Sequence, residues 1–591
     1  MYQHSLNWLL HNNTRLQDMN LMNNSFTGIL QLPDSTHDLL HLIISTNNMK
    51  RQLPKNMGTI LPKLLNLNLS KNSFEGHIPS SMGEMKGLTR LDLSNNSFSG
   101  ELPKSFISGC FSLEFLCLSN NNFHGEIFPT FMNMTQLNWL LLDHNKFNGN
   151  IQNGLSKGVL LNVLDLSNNS FSGQIPHWIG NFSSLNAIFM SNNLLEGGVP
   201  VQLSNIKGLQ ILDIFENRLS GSIATSTNLS SLRYLYMQKN ALSGTIPNAF
   251  FRISALAILD LRDNEFSGSI PNEIDDELSY LQFLLLAGNH LEENIPQELC
   301  RLKNMSILDL SRNKLNGSIP SCFTNMSLWF ESDEYTLQTD YLYGLAANIE
   351  FDIASYNFTL DFTVGYSFEY YEKLEVEFVT KNRHESYEGS ILPYITGIDL
   401  SSNELTGEVP SEFGYLQKIH AVNLSNNFLS GSILESFSHL KNIESLDLSH
   451  NTFSGRIPPQ LTELNNLGTF IITFNNLSGP VPNQGQFGTF DESSYTGNPD
   501  LCGSQIKRSC SSEPMTPPAS PSDVEEEEDE SAIDMVSFYC SFFASSITTI
   551  LGLVLILWLN LDWRRQWFYF INECIIRCYC WILRYAIHQQ Y

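Results

Sequence analysis

Positive charge is scarce in this sequence of 591 residues. Lys and Arg number 33 against 60 Asp and Glu, which gives a formal net charge of -27 with only 16% charged residues. A surface of this sign repels the phosphate backbone, which argues against nucleic acid as a partner. The excess of acidic residues is typical of a solvated protein surface.

Catalytic and nucleotide-binding motifs are also missing. The sequence contains no G-x-G-x-x-G, no G-x-x-x-x-G-K-[ST] and no H-E-x-x-H, and its 14 histidines are scattered. Kinases and other nucleotide enzymes need a glycine-rich loop that cradles phosphate. We therefore expect a protein that is not an enzyme and that holds no cofactor and no metal ion.

One phrase recurs with a period of about 24 residues. RLDLSNNSFSGELP, which runs from Arg90 to Pro103, returns as LDLSNNSFSGQIP from Leu164. Counted from the asparagine, apolar residues stand at -8, -5, -3, +2 and +6, with glycine at +4 and often proline at +7. The anchoring asparagines are Asn24, Asn48, Asn72, Asn96, Asn121, Asn145, Asn169, Asn193, Asn217, Asn240, Asn264, Asn289 and Asn313, followed after a gap by Asn403, Asn427, Asn451 and Asn475.

This period, with L-x-x-L-x-L-x-x-N, is the signature of leucine-rich repeats, in which each turn supplies one short strand and a return segment. Apolar residues at -5 and -3 alternate with polar ones, so one strand face points inward. Each turn buries its apolar side only by stacking on its neighbours. The asparagine amide satisfies backbone groups where the chain turns and should form a ladder. The sequence therefore predicts an α/β-type leucine-rich-repeat solenoid with short parallel strands on a concave face.

The array is interrupted once. The step from Asn313 to Asn403 is 90 residues, and subtracting one repeat of 24 leaves an insertion of 66, residues 329–394. It holds sixteen aromatic and thirteen acidic residues but only three basic ones. KLEVEFVTK, from Lys373 to Lys381, alternates as a strand does. We therefore predict a small β-rich excursion rather than disorder.

The sequence divides into seven segments on this basis. They are about thirteen repeats (1–328), the insertion (329–394), four further repeats (395–490), a C-terminal cap (491–512), an acidic Pro/Ser stalk (513–534), a transmembrane helix (535–559) and a short tail (560–591).

Residues 535–559 are free of charge over 25 residues, which is enough to cross a hydrocarbon core of roughly 30 Å. Acidic residues precede this span, and Arg564 and Arg565 follow it. The positive-inside rule therefore places the tail in the cytosol and the repeats outside. One face of the helix holds small residues that would let a second helix approach closely, namely Ser541, Ser545, Thr549 and Gly552.

Sequons and cysteines agree with an extracellular array. Cys300 and Cys322 occupy +11 and +9 of successive repeats, hence side by side on stacked turns, and we predict a disulfide between them. Cys110 and Cys117 should project to opposite sides and form no bridge with each other. Fourteen N-x-[ST] sequons precede the span as candidate glycosylation sites: Asn12, Asn23, Asn68, Asn95, Asn133, Asn168, Asn181, Asn228, Asn304, Asn316, Asn325, Asn357, Asn423 and Asn476.

The outward strand positions -6, -4 and -2 line the concave face and are usually polar. Departures from this rule cluster in the middle of the array. Aromatic side chains together with arginine are the usual anchors of interfaces, so we predict a ligand-binding patch there. Its members are Trp139, Phe189, Phe215, Tyr234, Tyr236, Arg262 and Phe283. The alternative is that these side chains pack on each other or under the insertion.

The N-terminus contains no long apolar run. Met1 is followed by YQHSLNWLLHNNTRL, which does not suit a signal peptide, and RLQDMNLMNNSFTG is already a repeat. We expect that the signal peptide and the N-terminal cap are missing by truncation. A span that acts as a late signal-anchor is the less favoured explanation.

The phrases LSGTIP and FSGSIP resemble the plant-specific subclass of leucine-rich repeats found in extracellular receptors. The order of segments resembles plant leucine-rich-repeat receptor-like proteins, which lack a kinase. The most similar stretches are VEFVTKNRHESYEG, GIDLSSNELTGEVPSEFG, SLDLSHNTFSGRIPPQL and GNPDLCG. The resemblance implies that the insertion is an island domain and that Cys502 and Cys510 close the C-terminal cap.

The resemblance also implies partners. The ectodomain would bind an extracellular peptide, glycan or protein ligand, the four repeats after the island would meet a co-receptor kinase, and the small-residue helix face would meet an adaptor receptor kinase. We therefore predict a single-pass plasma-membrane receptor, embedded in lipid, that acts in plant defence. The alternatives are a developmental peptide receptor, a wall-associated inhibitor of pathogen hydrolases, and a truncated copy without function.

Overall fold

The structure, a computed structural model, describes residues 5–224, 229–274, 280–325, 375–380, 383–388, 392 and 394–510. Within them, 17 short strands form one main sheet, one strand for each repeat that the sequence predicts. Neighbouring strands are parallel and in register, as where Leu91 lies opposite Leu116. The strands are Asp18–Asn20, His41–Ile43, Asn66–Asn68, Arg90–Asp92, Phe115–Cys117, Trp139–Leu141, Val163–Asp165, Ala187–Phe189, Ile211–Asp213, Tyr234–Tyr236, Ile258–Asp260, Phe283–Leu285, Ile307–Asp309, Gly397–Asp399, Ala421–Asn423, Ser445–Asp447 and Thr469–Ile471.

The main sheet continues without a break across the insertion. Strand Ile307–Asp309 pairs in parallel with strand Gly397–Asp399. The backbone N–H of Leu315 donates to Oδ1 of Asn403 at 3.0 Å, as equivalent groups do within the uninterrupted repeats. The repeats before and after the insertion therefore form one continuous stack.

The core lies between the strands and the return segments. Leu88, Leu91 and Leu93 of one turn occupy the -8, -5 and -3 positions and are fully buried. At +2, Phe98 stacks on Phe123 of the next turn with ring centroids 6.0 Å apart. Because each turn repeats the same pattern, a single hydrophobic cluster extends along the stack.

The asparagine ladder that the sequence predicts is present. The side-chain amide of Asn121 donates to the carbonyls of Leu93, Leu118 and Ser119 at 2.9, 3.1 and 3.2 Å. Its Oδ1 accepts the backbone N–H of Phe98 at 2.9 Å. One side chain thus satisfies four backbone groups from two turns, which explains why the residue recurs at this position.

Two positions of the ladder differ from the sequence prediction. Asn47, not Asn48, is the ladder residue of the second turn, because its Oδ1 accepts the N–H of Phe26 at 2.9 Å. Asn48 instead begins a strand and is exposed. Asn498 in the C-terminal cap adds a further rung by accepting the N–H of Leu477 at 3.0 Å. The period tolerates a shift of one residue, so two adjacent asparagines could not be separated by spacing.

A second sheet, which was not predicted from the sequence, is formed by the residues that come directly after the ladder asparagine in each turn. Its segments cover positions +1 to +4, where glycine adopts a left-handed conformation. At Gly100, φ is 86° and a Cβ would overlap Nδ1 of His77, so no other residue fits without strain. The strands within the described chain are Thr27–Gly28, Asn48–Arg51, Ser73–Gly76, Ser97–Gly100, Asn122–Gly125, Lys146–Asn150, Ser170–Gln174, Leu194–Gly197, Arg218–Ser222, Ala241–Gly244, Glu265–Gly268, His290–Asn294, Lys314–Gly317, Glu404–Glu408 and Phe428–Ser430, with a separate three-stranded sheet of Ser454–Gly455, Asn476–Pro480 and Asp500–Cys502.

The return segments are mostly 3₁₀ turns. The proline at +7 precedes many of them and fixes φ, as at Pro79 with -63°. The described α-helices are Ser5–Asn12, Met57–Ile60 and Lys104–Gly109. The 3₁₀ helices are Ser80–Glu84, Asn153–Lys157, His177–Asn181, Val201–Asn205, Asn248–Arg252, Gln297–Arg301, Ser321–Asn325, Ser411–Tyr415, Glu435–His439, Pro459–Glu463, Gly485–Thr489 and Glu492–Ser494.

The described part of the insertion is a β-hairpin. Strands Glu375–Thr380 and Arg383–Glu388 pair antiparallel, so the strand expected within residues 373–381 is confirmed. We call these two strands the island hairpin.

The stalk (513–534), the predicted span (535–559) and the tail (560–591) lie outside the described residues, as do Ser541, Ser545, Thr549 and Gly552. Among the residues that the structure describes, no helix is both long enough and apolar enough to cross a membrane.

Candidate functional site

A second hydrophobic cluster covers the outward face of the main sheet, separate from the core. We call it the strand-face cluster. It consists of outward side chains of the sheet together with residues of the insertion. The buried members are Phe115, Cys117, Trp139, Leu141, Val163, Ala187, Phe189, Ile211, Tyr234, Tyr236, Ala257, Ile258, Phe283, Leu285, Ile307, Val376, Phe378, Leu392, Ile395 and Ala421.

The aromatic residues of the predicted ligand patch are all in or against this cluster. Trp139 is 6% exposed and Tyr234 0%, and Phe189, Tyr236, Arg262 and Phe283 are also buried. Phe215 is partly buried and packs against the cluster. These side chains are covered rather than exposed, which corresponds to the alternative that the sequence left open. Their participation in ligand binding stays a prediction.

Arg262 anchors the island hairpin to the sheet. Its Nε and one terminal nitrogen donate to the carboxylate of Asp260 at 2.9 and 2.6 Å, and the other terminal nitrogen donates to the carbonyl of Glu377 at 2.5 Å. Burial alone would lower the pKa of Arg262, but the charge and hydrogen bonds of Asp260 raise it above its ordinary value. The guanidinium therefore stays charged and connects the sheet to the hairpin backbone.

Phe378 of the hairpin rests on Gly397, the first residue of the strand that follows the insertion. A Cβ on Gly397 would overlap Cε1 of the Phe378 ring. Ile307 and Ala421 flank Gly397 in register and belong to the same cluster. The absence of a side chain at Gly397 therefore provides the seat for the hairpin.

The covered face contains polar atoms that are not fully satisfied. The Tyr236 hydroxyl and the Oε1 of Gln238 are buried and have no hydrogen-bond partner among the residues that the structure describes. A buried polar group without a partner costs about 1–3 kcal/mol. The face beneath the insertion thus offers a donor and an acceptor site to a suitable ligand.

The two cations that meet Glu377 should contribute unequally to stability. We expect Arg262→Lys to lower the stability of the stack by roughly 1–3 kcal/mol, because lysine cannot reproduce the two-nitrogen contact with buried Asp260. Lys239 lies 3.5 Å from Oε1 of Glu377 and both side chains are partly solvated, so Lys239→Ala should change stability by less than about 0.5 kcal/mol. Urea denaturation of the two variants measures the difference, and equal effects would contradict the anchoring role of Arg262.

An exposed aromatic group lies on the repeats that follow the insertion. Phe428 and Phe474 are 60% and 52% exposed. Phe474 stacks on His450 of the preceding turn, with ring centroids 4.5 Å apart. Its φ is 53°, an unfavourable conformation for a bulky residue. We call Phe428, His450 and Phe474 the aromatic edge. This edge was not predicted from the sequence, although phenylalanine at -1 departs from the polar residues or glycine that occupy this position in every other repeat.

One sequence pattern of hydrolases occurs but lacks the required setting. Residues 154–158 read Gly-Leu-Ser-Lys-Gly and match G-x-S-x-G. Ser156 lies inside the 3₁₀ helix Asn153–Lys157, and its hydroxyl donates to the carbonyl of Asn153 at 2.7 Å. A nucleophile elbow places the serine on a sharp strand-to-helix turn instead. Among the described residues, no group of three or more His, Cys, Asp or Glu side chains could hold a metal ion.

The cysteines of the described region fall into two classes. Disulfides join Cys300 to Cys322 and Cys502 to Cys510, with Cα atoms 5.8 and 5.1 Å apart. Cys110 and Cys117 are buried free thiols, and burial raises the pKa of Cys110 to about 12. These two thiols are therefore protonated and unreactive at neutral pH.

The sequons differ in accessibility. Asn68 is only 3% exposed, and its Oδ1 accepts hydrogen bonds from the backbone and hydroxyl of Ser70, which leaves no space for a glycan. Asn423 is half-buried and its amide donates to Asp399. Asn228 and Asn357 lie outside the described residues, as does the side chain of Asn325. The remaining sequon asparagines are exposed or half-buried: Asn12, Asn23, Asn95, Asn133, Asn168, Asn181, Asn304, Asn316 and Asn476.

Sequence comparisons agree with the repeat architecture. A Leucine Rich Repeat model matches residues 63–85, 87–108, 112–134, 160–182, 231–253, 255–276, 280–302 and 304–326, and a second leucine rich repeat model matches 393–453. Receptor-like protein 15 of Arabidopsis thaliana is 53% identical over 584 residues, covering 96% of this chain and 59% of that protein. Receptor-like protein 13 of the same plant is 50% identical over 577 residues, covering 96% of this chain and 52% of that protein.

The chain belongs to the plant leucine-rich-repeat receptor-like proteins. As a receptor-like protein it spans a little over half the length of these two relatives. A solved structure of similar fold is the ectodomain of the Arabidopsis thaliana receptor kinase GASSHO1/SCHENGEN3 in complex with Casparian strip integrity factor 2. It is 27% identical with a TM-score of 0.61, and the match covers 83% of this chain and 56% of that one.

Proposed function

We propose that this receptor-like protein binds an extracellular peptide or protein ligand and signals through partner receptor kinases in plant defence. The observation that carries the proposal is the strand-face cluster, to which the island hairpin contributes Val376 and Phe378. Within the described part of the chain, the Tyr236 hydroxyl and the Oε1 of Gln238 on this face have no hydrogen-bond partner. A ligand that displaces or extends the hairpin would contact Tyr236, Gln238 and Arg262 together. Trp139, Phe189, Phe215, Tyr234 and Phe283 would supply the apolar surface around them.

The related ectodomain supports the ligand class. GASSHO1/SCHENGEN3 was solved in complex with an integrity factor, and its repeats match 83% of this chain. Polar atoms beneath an apolar cover suit a ligand that has both peptide groups and apolar side chains. The proposed location is the plasma membrane, with the repeats outside and residues 560–591 in the cytosol.

The aromatic edge is the proposed contact for a co-receptor kinase. Exposed aromatic side chains on neighbouring turns are typical anchors of protein interfaces. Phe474 maintains an unfavourable backbone conformation, and a Cβ on the adjacent Gly497 would lie 2.7 Å from Cδ1 of its ring. The left-handed backbone recurs at this position along the stack, as at His450 with φ 52°, so what distinguishes Phe474 is its bulky exposed ring. The helix face with Ser541, Ser545, Thr549 and Gly552 is the proposed contact for an adaptor kinase within the membrane.

Recovery of kinases from plant tissue tests this proposal. We expect the full chain, expressed in leaves and immunoprecipitated, to recover a receptor-like kinase that mass spectrometry identifies. Phe428→Ser combined with Phe474→Ser should lower that recovery about fivefold or more, since interface anchors contribute about 2 kcal/mol or more each. Phe111→Ser is the matched control, because Phe111 is also exposed but lies on a different turn. Equal recovery by the double variant, or absence of any kinase from the wild type, would refute the proposal.

The competing functions are distinguished by where the protein is found and by what elicits a response in tissue that expresses it. An oxidative burst that microbial culture filtrate elicits only in tissue expressing the chain supports defence, whereas a response to plant peptides alone supports a developmental receptor. Release of the repeats into the medium, with inhibition of microbial cell-wall hydrolases, would favour an inhibitor. A chain that never reaches the cell surface would indicate a copy without function.

A further inference from the structure

Two carboxyl groups face each other at the point where the insertion interrupts the stack. Asp309 ends the last main-sheet strand before the insertion and Asp399 ends the first main-sheet strand after it, and the two are directly opposite in register. Both are buried. Like charges directly opposite on paired strands are destabilising, and two carboxylates that share a buried site do not both ionise readily.

The surrounding cations do not neutralise this pair. Arg262 acts on Asp309, but its guanidinium already forms two hydrogen bonds to the buried carboxylate of Asp260. Arg312 forms an ion pair of 2.9 Å with Asp263 near the surface. Each of these two guanidinium groups is therefore already paired with a carboxylate other than Asp309 and Asp399.

The elements packed beside the pair contribute both acidic and basic groups, and Arg383 of the island hairpin is exposed to solvent. The island hairpin contributes Glu377, another carboxylate, which is bonded to Lys239 at its outer side. The following strand contributes Asn423, whose amide donates to Oδ2 of Asp399 at 3.1 Å. Burial and then the charge of Asp309 raise the pKa of Asp399 to about 7, and burial raises the pKa of Asp309 as well.

The hairpin rests on the strand that ends in Asp399. Phe378 rests on Gly397, which is two residues from Asp399 on the same strand and the same face. Leu392 and Ile395, between the hairpin and that strand, are buried in the same cluster. Departure of the hairpin would expose the carboxyl groups to solvent and remove the reason for their raised affinity for a proton.

We propose that the island hairpin is a latch on the strand face, which is held closed while Asp309 and Asp399 share one proton and opens when both carboxyls are ionised. On opening, the proton passes to solvent and the two carboxylates become hydrated. This inference concerns how the hairpin is held, and it stands whether or not the face beneath it binds the proposed ligand.

The direction of the pH dependence follows from linkage. A carboxyl whose pKa is higher in the closed state than in the open state favours closure most at low pH. That stabilisation diminishes as the pH rises from the ordinary carboxyl range towards about 7 and is absent above it. The latch should therefore be tightest in acid and should loosen towards neutral pH.

Hydrogen exchange of the full chain, measured by mass spectrometry and corrected for the intrinsic rate at each pH, tests the latch. We expect the protection of residues 375–388 to fall about tenfold or more between roughly pH 5 and pH 7.5. In Asp399→Asn, which carries a permanently neutral side chain, the hairpin should stay protected over the whole range. Asp309→Asn should behave in the same way, because either carboxyl can be the ionised partner.

Asp92→Asn is the control for a general effect of removing a buried acid. Burial raises the pKa of Asp92 too, but this residue lies on a strand in the first third of the stack. Its variant should keep the pH response of the wild type. Constant hairpin protection in the wild type, or an unchanged pH response in Asp399→Asn with the main-sheet strands still protected, would overturn the latch.

Discussion

Asn121→Ala should destabilise the repeat stack locally by roughly 3–5 kcal/mol, whereas Asn122→Ala should change it by less than about 0.5 kcal/mol. The first substitution leaves the carbonyls of Leu93, Leu118 and Ser119 and the N–H of Phe98 without their shared partner. Those groups are buried where water cannot replace the amide, so most of their desolvation penalty is felt. The neighbouring Asn122 is exposed, which makes the pair a matched comparison of one residue type at adjacent positions.

Local hydrogen exchange measures this effect better than a single melting curve. A stack of repeats is held by contacts between neighbours, and its unfolding need not be a single transition. For Asn121→Ala we expect the protection of strands Arg90–Asp92 and Phe115–Cys117 to fall about a hundredfold or more, since each 1.4 kcal/mol is about a factor of ten. Distant strands such as Ser445–Asp447 should keep their protection. If both asparagine variants exchange at the rate of the wild type, the ladder does not stabilise the stack.

Gly397→Ala should release the island hairpin without unfolding the repeats. The added methyl group would occupy the space of the Phe378 ring and would also lie 3.3 Å from the carbonyl of Ala421. The backbone of Gly397 is in an ordinary strand conformation, so alanine introduces no strain of its own. We expect the protection of strand Glu375–Thr380 to fall about tenfold or more, because overpacking costs about 1–3 kcal/mol.

Gly468→Ala is the control for this substitution. A Cβ at Gly468 meets only the carbonyl of Glu444, at 3.6 Å, which is an ordinary contact. This variant should leave the hairpin and the adjacent strands unchanged. In Gly397→Ala, the pairing of strands Ile307–Asp309 and Gly397–Asp399 should persist, which separates loss of the hairpin from loss of the fold. Unaltered hairpin protection in that variant would show that Phe378 is not seated on Gly397.

The Asn121 and Gly397 substitutions distinguish the stability of the repeat stack from the docking of the island hairpin. Asn121 acts within the repeats and is far in sequence from the insertion, whereas Gly397 acts on the contact between the repeats and the hairpin. A pH response that disappears in Gly397→Ala as well as in Asp399→Asn would show that both residues act on the same closed state.

The repeat architecture followed from the sequence because every turn sees the same local environment. Spacing alone located the strands, the ladder and the interruption between Asn313 and Asn403. Alternation within residues 373–381 located the first strand of the hairpin, because a period of two is a local property of the chain. In the second turn, where two asparagines are adjacent, the spacing predicted Asn48 as the ladder residue. The hydrogen bonds of the structure show that the ladder residue is Asn47.

The state of the outward face was decided only by the tertiary structure. Tyr234 and Trp139 have the alternation of exposed strand positions, yet both are buried. Trp139 packs against Phe115 of the neighbouring turn, with ring centroids 6.3 Å apart. The docking of the hairpin depends on a non-local contact, since Arg262 binds Glu377, a residue 115 positions away, and no periodic pattern encodes where an insertion docks. The opposition of Asp309 and Asp399 has the same origin, since the chain between them leaves the stack and its ends are rejoined by strand pairing. The sequence by itself thus determined the stack, while the fold alone determined what covers it.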